Sequence, residues 1–140
     1  MRILAVDYGD ARTGLSVCDK LEMLAVPLCV IHQTASRKLI QRIAEIVIEE
    51  KVELIVLGYP KNMDSSIGSR AQKSEELAIS LKKATCIDVV LWDERLTTVS
   101  AHTSLNDTTV SGKKRKNIID AVAATIILQD YLNYRKMNKV

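Results

Sequence analysis

Residues 3–6, Ile-Leu-Ala-Val, running straight into Asp7-Tyr8-Gly9, constrain the fold more than any other stretch of this chain. Four consecutive apolar side chains on an extended backbone point to both faces of a sheet, so both faces must be covered. Residues 2–8 therefore read as a central strand, with Asp7 at the end where apolar cover stops.

The rest of the pattern builds around that strand. Residues 13–19 and 23–31 are two further strand candidates, joined by the polar Asp19-Lys20, and make an antiparallel meander with the first. Gly9 and Gly14 bracket the first turn, and Pro27, which has no backbone donor, marks the third strand as a sheet edge. From Ser36 to Glu50 the period changes, with Leu39, Ile43, Ile46 and Val47 on one helical face. Leu54 to Leu57 is a short buried strand ending at Gly58, followed by a polar loop from Tyr59 to Ser69. A helix then places Ala71, Ser74, Ala78 and Leu81 together, and Ile87 to Trp92 is the fifth strand. A short helix over 97–105, a loop over 106–112 and a long helix over 117–133 complete the reading. The expected fold class is α/β: a mixed five-stranded sheet with three antiparallel N-terminal strands, strands 1, 4 and 5 parallel, and helices on both faces. At 140 residues the chain is expected to be a single domain, 1–140, and is too short for two large lobes.

Composition narrows the function classes. No apolar run approaches the roughly 18 residues of a membrane span, and a cytoplasmic location with no membrane partner is expected. Cys18, Cys29 and Cys86 are odd in number and widely spaced, which favours reduced core thiols over disulfides. With only His32 and His102 as imidazoles, a structural zinc site is disfavoured. A net charge of +3 permits nucleic-acid binding, and the basic residues are clustered: Lys113-Lys114-Arg115-Lys116 stand directly before the final helix. Aromatic residues make up 4% of the chain and Phe is absent, which argues against a base-stacking sheet surface.

Three carboxylates carry the chemistry. Asp7 ends one strand and Glu94 lies just beyond another, and parallel α/β sheets gather ligands at these carboxyl ends. With the two strands adjacent, these acids would be close. Asp120 shares the i, i+3, i+4, i+7 stripe of the last helix with Ala123, Ala124 and Ile127, and small Ala residues let that helix approach the sheet. If the fold brings the three carboxylates together they form a divalent-metal site, because unpaired buried carboxylates repel one another and a hard cation removes that penalty. Taken singly, each acid has a plainer role as a turn, ion-pair or helix-start residue.

The ordered motifs resemble the YqgF family of RNase H-like proteins, also called RuvX or Holliday-junction-resolvase-like and associated with pre-16S rRNA nuclease activity. Leu4-Ala5-Val6-Asp7-Tyr8-Gly9 with Arg12-Thr13-Gly14-Leu15-Ser16 is similar to its opening motif, and Gly58-Tyr59-Pro60-Lys61-Asn62-Met63-Asp64 with Arg70 to its middle one. Asp93-Glu94-Arg95-Leu96-Thr97-Thr98 matches its signature. Lys116 with Ile119-Asp120-Ala121-Val122-Ala123-Ala124 is similar to its last motif. Tyr59, where Leu is common, and Ser65-Ser66, in place of a Gly-containing stretch, depart from the pattern. The resemblance implies an RNase H-like fold, a role in ribosomal RNA maturation with ribosomal association, and Asp7, Glu94 and Asp120 as metal-binding catalytic acids. Mg2+ or Mn2+ suits these oxygen donors, in pairs about 3.5–4 Å apart, and Asp7 is the acid expected to bridge.

Further residues are expected to hold substrate. Arg12 and Lys113, Lys114, Arg115 and Lys116 would contact phosphates; Asn62, Arg70, Arg95 and Thr98 would position the strand or the metal's outer ligands. Pre-rRNA is the expected substrate, with a structured DNA such as a Holliday junction as the alternative and a non-catalytic nucleic-acid-binding factor as the third reading. Asp7-x-Gly9 with Gly14 also resembles the first phosphate hairpin of actin and hexokinase-like ATPases. Those close two lobes on ATP, whereas this chain holds one and has no Walker sequence.

Overall fold

The computed structural model describes residues 1–9, 11–32, 35–59, 69–93 and 112–138, with backbone alone for 69–70 and 112–120. Five strands, β1 (Ile3–Tyr8), β2 (Arg12–Cys18), β3 (Ala25–His32), β4 (Leu54–Tyr59) and β5 (Val89–Asp93), form one sheet in the order β3-β2-β1-β4-β5. The β1-β2 and β2-β3 pairs are antiparallel, and β1-β4 and β4-β5 are parallel, as the crossover helices require. Pro27 lies on the edge strand β3.

The alternation of β1 divides the core. Leu4 and Val6 face one side, where helices α1 (Ser36–Glu49) and α2 (Ser69–Thr85) contribute Leu39, Ile43, Ile46, Val47, Leu77 and Leu81. Ile3 and Ala5 face the other, covered by helix α3 (Gly112–Met137) through Ile127, Leu128, Tyr131 and Leu132. Burial on both faces is why four successive apolar residues stand at the centre of the sheet. The turn between β1 and β2 closes through the Gly9 N–H donating to the Arg12 carbonyl at 2.9 Å. A Cβ at position 9 would stand 2.6 Å from that oxygen, so the turn requires glycine.

Helix ends follow local rules as well. Lys51 takes φ 54° after α1, while the Val52 N–H reaches the Val47 carbonyl at 3.0 Å and the Lys51 N–H the Ile48 carbonyl at 3.3 Å. These two bonds satisfy carbonyls left over at the helix end. Cys86 ends α2 in the same left-handed region, at φ 60°.

Four expectations need correction. The last helix begins at Gly112 and not at 117, so the Lys113–Lys116 run lies within its first turns; Lys and Arg are good helix formers and mark no boundary. Gly14 sits inside β2 and not in the turn. Cys86 is exposed, whereas Cys18 is buried and Cys29 half-buried; all three are free thiols. Finally, β4 lies between β1 and β5, so the strands leading to Asp7 and Glu94 are two spacings apart, about 9.6 Å, instead of adjacent. The helix expected over 97–105 and the loop over 106–111 lie outside the described residues.

Candidate active site

Asp7 is the fixed point of the site. It is half-buried at the penultimate position of β1, and strand alternation puts it on the face of Ile3 and Ala5, the face covered by α3. Its cross-strand partner on β2 is Gly14. On β4, one step beyond the pairing of Val6 with Leu57, comes Gly58, itself paired with Trp92 of β5. Asp7 is thus flanked by glycines on both sides. Glycine weakens a strand and lacks a side chain to pack, and its presence inside a strand marks a close approach by another group. Two such residues beside one carboxylate leave a notch across three strands.

Trp92 closes the notch on the β5 side. It is buried, meets Tyr131 edge-on with ring centroids 5.5 Å apart, and lies 5.4 Å from the Tyr134 ring. Its indole N–H has no hydrogen-bond partner among the described residues. On the other side, Arg12 opens β2 two residues before Gly14, on the same sheet face and diagonal to Asp7. The structure therefore brings Arg12 and Asp7 to one end and one face. Both make interactions with neighbouring groups.

The direction of α3 relates position 120 to this notch. The Ala25 N–H donates to Gln129 Oε1 at 3.1 Å, and Ala25 pairs with Cys18, level with Ile3 at the start of β1. Further along the helix, Arg135 Nε donates to Glu22 Oε1 at 2.6 Å, beyond the start of β1, where Glu22 also accepts from the Met1 ammonium at 3.1 Å. The helix consequently runs antiparallel to β1. Nine residues back from Gln129, at about 1.5 Å each, is about 13.5 Å; the four residues from Ile3 to Asp7, at about 3.4 Å each, cover the same span. Helix position 120 is thus level with Asp7. It also precedes Ala124 by one turn, on the stripe that continues through Ile127, Leu128 and Tyr131, all buried.

Arg70 lies in the first turn of α2, and Lys113, Lys114, Arg115 and Lys116 in the opening turns of α3. Glu94 directly follows the last residue of β5, Asp93, and with Asn62, Arg95 and Thr98 lies outside the described residues. Among the described residues no group of three His, Cys, Asp or Glu side chains forms a metal cluster; two members of the expected trio are not among the described side chains. Sequence reading missed the flanking role of Gly14 and Gly58 and the wall formed by Trp92. The available signal was two glycines inside segments that otherwise read as strand.

This sheet order and helix placement define an RNase H-like fold. The Thermus thermophilus RuvC structure superposes with a TM-score of 0.59 at 13% identity, covering 98% of this chain and 97% of that one. RuvC from the same organism in complex with Holliday junction substrate gives a TM-score of 0.62 at 12% identity, with 96% of each chain covered. The chain belongs to the RuvX family, whose model, described as Holliday junction resolvase, matches residues 1–134. Relatives named "Putative pre-16S rRNA nuclease" include one from Halothermothrix orenii, 46% identical over 135 residues and 96% of both chains. Another, from Carboxydothermus hydrogenoformans, is 41% identical over 138 residues, covering 99% of this chain and 100% of that one.

Proposed function

We propose that this chain is a single-domain, divalent-metal-dependent nuclease that hydrolyses phosphodiester bonds of precursor 16S rRNA in the bacterial cytoplasm, in association with the assembling ribosome. The observation that carries the reading is the glycine-flanked Asp7 at the carboxyl end of β1, level with helix position 120, in a chain of the RuvX family. The residues fit a hard cation: their donors are carboxylate oxygens, and the glycines on either side of Asp7 leave room for an ion and a phosphate. Asp7, Glu94 and Asp120 would hold Mg2+ or Mn2+, which would activate water and stabilise the departing oxygen. Trp92 of β5 lies on the α3 face, as Asp7 does, and Glu94 follows it by two residues in the sequence.

The protein's own part is positioning and charge. Arg12, on the same face as Asp7, would hold a phosphate oxygen of the substrate strand. Arg70, Asn62, Arg95 and Thr98 would orient that strand or the ligating carboxylates. The first turn of α3 has no acidic residue, and its opening turns carry Lys113, Lys114, Arg115 and Lys116, an unfavourable charge for the positive end of a helix. A polyanion at that end removes the repulsion, which supports a phosphate-binding role for the run.

The family description and the RuvC likeness favour one second reading, cleavage of a four-way DNA junction. Incubating the full chain with single-stranded rRNA precursor and with a four-way junction, in Mn2+ or EDTA, separates the two. Cleavage of the precursor in Mn2+, abolished by EDTA and by Asp120→Asn, is expected. Cutting of the junction alone would make it a resolvase, and absence of any cutting would leave only a binding factor.

A further inference from the structure

One residue past Asp7, on the opposite face of the sheet, a groove of about 350 Å³ opens between α1 and α2. Its lining includes Tyr8, Ser36, Ile40, Lys73, Glu76 and Leu77. We infer that this groove is a nucleotide subsite that takes a base and phosphate of the substrate strand beside the cleaved bond; the inference rests on the nuclease reading.

Position is the first argument. Asp7 and Tyr8 are consecutive, so strand alternation sends the carboxylate to the α3 face and the phenol to the face of α1 and α2. Both lie at the carboxyl end of β1, and a strand crossing that end of the sheet meets one and then the other. Size is the second, since 350 Å³ falls in the range of clefts that hold a small ligand.

Chemistry is the third. Leu77 is buried and Ile40 half-buried, forming an apolar floor, and Tyr8 is a half-buried ring packed on the same core. A base can stack on that ring. Lys73 and Glu76 are exposed and three residues apart on α2, a spacing that suits an ion pair, yet neither forms one among the described residues. A ligand in the groove meets both side chains, which suits one with an anionic part and a hydrogen-bond-donating part. A nucleotide has both: its phosphate suits the Lys73 ammonium, and the exocyclic amine of adenine, cytosine or guanine suits the Glu76 carboxylate, which only accepts. Uracil has no such amine, so this subsite discriminates against it. Ser36 begins α1, whose N-cap Ala35 makes no side-chain capping bond, adding polar backbone at the phosphate side.

The test has two arms. In the first, CMP and UMP are titrated into the full chain without added metal, followed by amide NMR shifts. The inference expects shifts at Tyr8, Ser36 and Lys73, at lower concentration for CMP than for UMP. Binding should weaken at least about fivefold in Tyr8→Leu, which loses the stacking ring but keeps an apolar side chain on the core. In Glu76→Gln, whose amide can both donate and accept, the CMP preference should narrow. Shifts that avoid the groove, or equal binding by wild type and both variants, would overturn it. In the second arm, Lys73→Ser is compared with wild type in precursor cleavage. KM should rise with kcat retained, and the slope of binding against salt should fall by about 0.7, the change for one fewer phosphate neutralised. Cleavage by wild type with KM and slope unchanged in Lys73→Ser would overturn the subsite and leave the nuclease reading standing. If wild type cuts nothing, the nuclease reading falls and the nucleotide titration alone decides the groove.

Discussion

At the scale of single residues, the site is organised as much by missing side chains as by charged ones. Gly14 and Gly58 flank Asp7 from two strands, at positions where a β-branched residue would stabilise the sheet. Gly58→Val is expected to leave the melting temperature unchanged or slightly higher while cutting nuclease activity by at least about tenfold, because it fills the approach to Asp7. A thermal melt beside an activity assay reads both; activity at the wild-type level would dismiss the notch. Asp7 itself is legible in the sequence as a polar end to an apolar run. The glycines are not, because their meaning depends on which residues of β2 and β4 align with Asp7, and register is not written in any one segment.

Far from the site, Glu22 fastens the opposite end. Its carboxylate accepts from Arg135 and from the Met1 ammonium, and the Arg135 bond above all holds its pKa below the ordinary 4.5. A carboxyl with a depressed folded pKa binds fewer protons folded than unfolded near that value, so its contribution is complete above pH 4.5 and is lost as pH falls through the folded pKa. Glu22→Gln should lower the melting temperature by a few degrees at pH 7, and the gap to wild type should close on acidification below pH 4.5. A gap that stays constant with pH would contradict the charged clasp.

At the scale of elements, periodicity serves the helices well and their boundaries poorly. The predicted face of α1, Leu39, Ile43, Ile46 and Val47, is the set that is buried. For α3 the stripe around Asp120 is legible, but the expected start falls five residues late, because four basic residues after Gly112 read as a solvated loop. Their place in the opening turns puts four basic positions within about two turns of position 120 along the helix. Replacing Lys113–Lys116 with Ser should weaken RNA binding and flatten its salt dependence, by about 0.7 in slope for each phosphate no longer neutralised. An unchanged salt slope would take the run out of the substrate interface.

At the scale of the whole molecule, the layered α/β class, the antiparallel meander and the parallel crossovers all follow from pattern and chirality rules applied to the chain. The position of β4 between β1 and β5 does not, since three parallel strands can be ordered several ways without changing any local pattern. That order separates β1 from β5 by two spacings, and the placing of position 120 level with Asp7 follows from the length of α3 between Gln129 and position 120. Tyr59 shows a similar limit: it departs from the family pattern in sequence, and in the fold its hydroxyl bonds to Glu75, tying β4 to α2 and raising the phenol pKa.

The proposed metal site would draw Asp7 and Asp120 from distant parts of the chain. Calorimetric titration of Mn2+ into the full chain, its Asp7→Asn variant and its Asp120→Asn variant tests this without any choice of nucleic acid. Saturable Mn2+ binding by wild type is expected, with an affinity at least about tenfold weaker in each variant and melting temperatures that show both variants folded. Equal Mn2+ binding by all three folded proteins would refute the shared site.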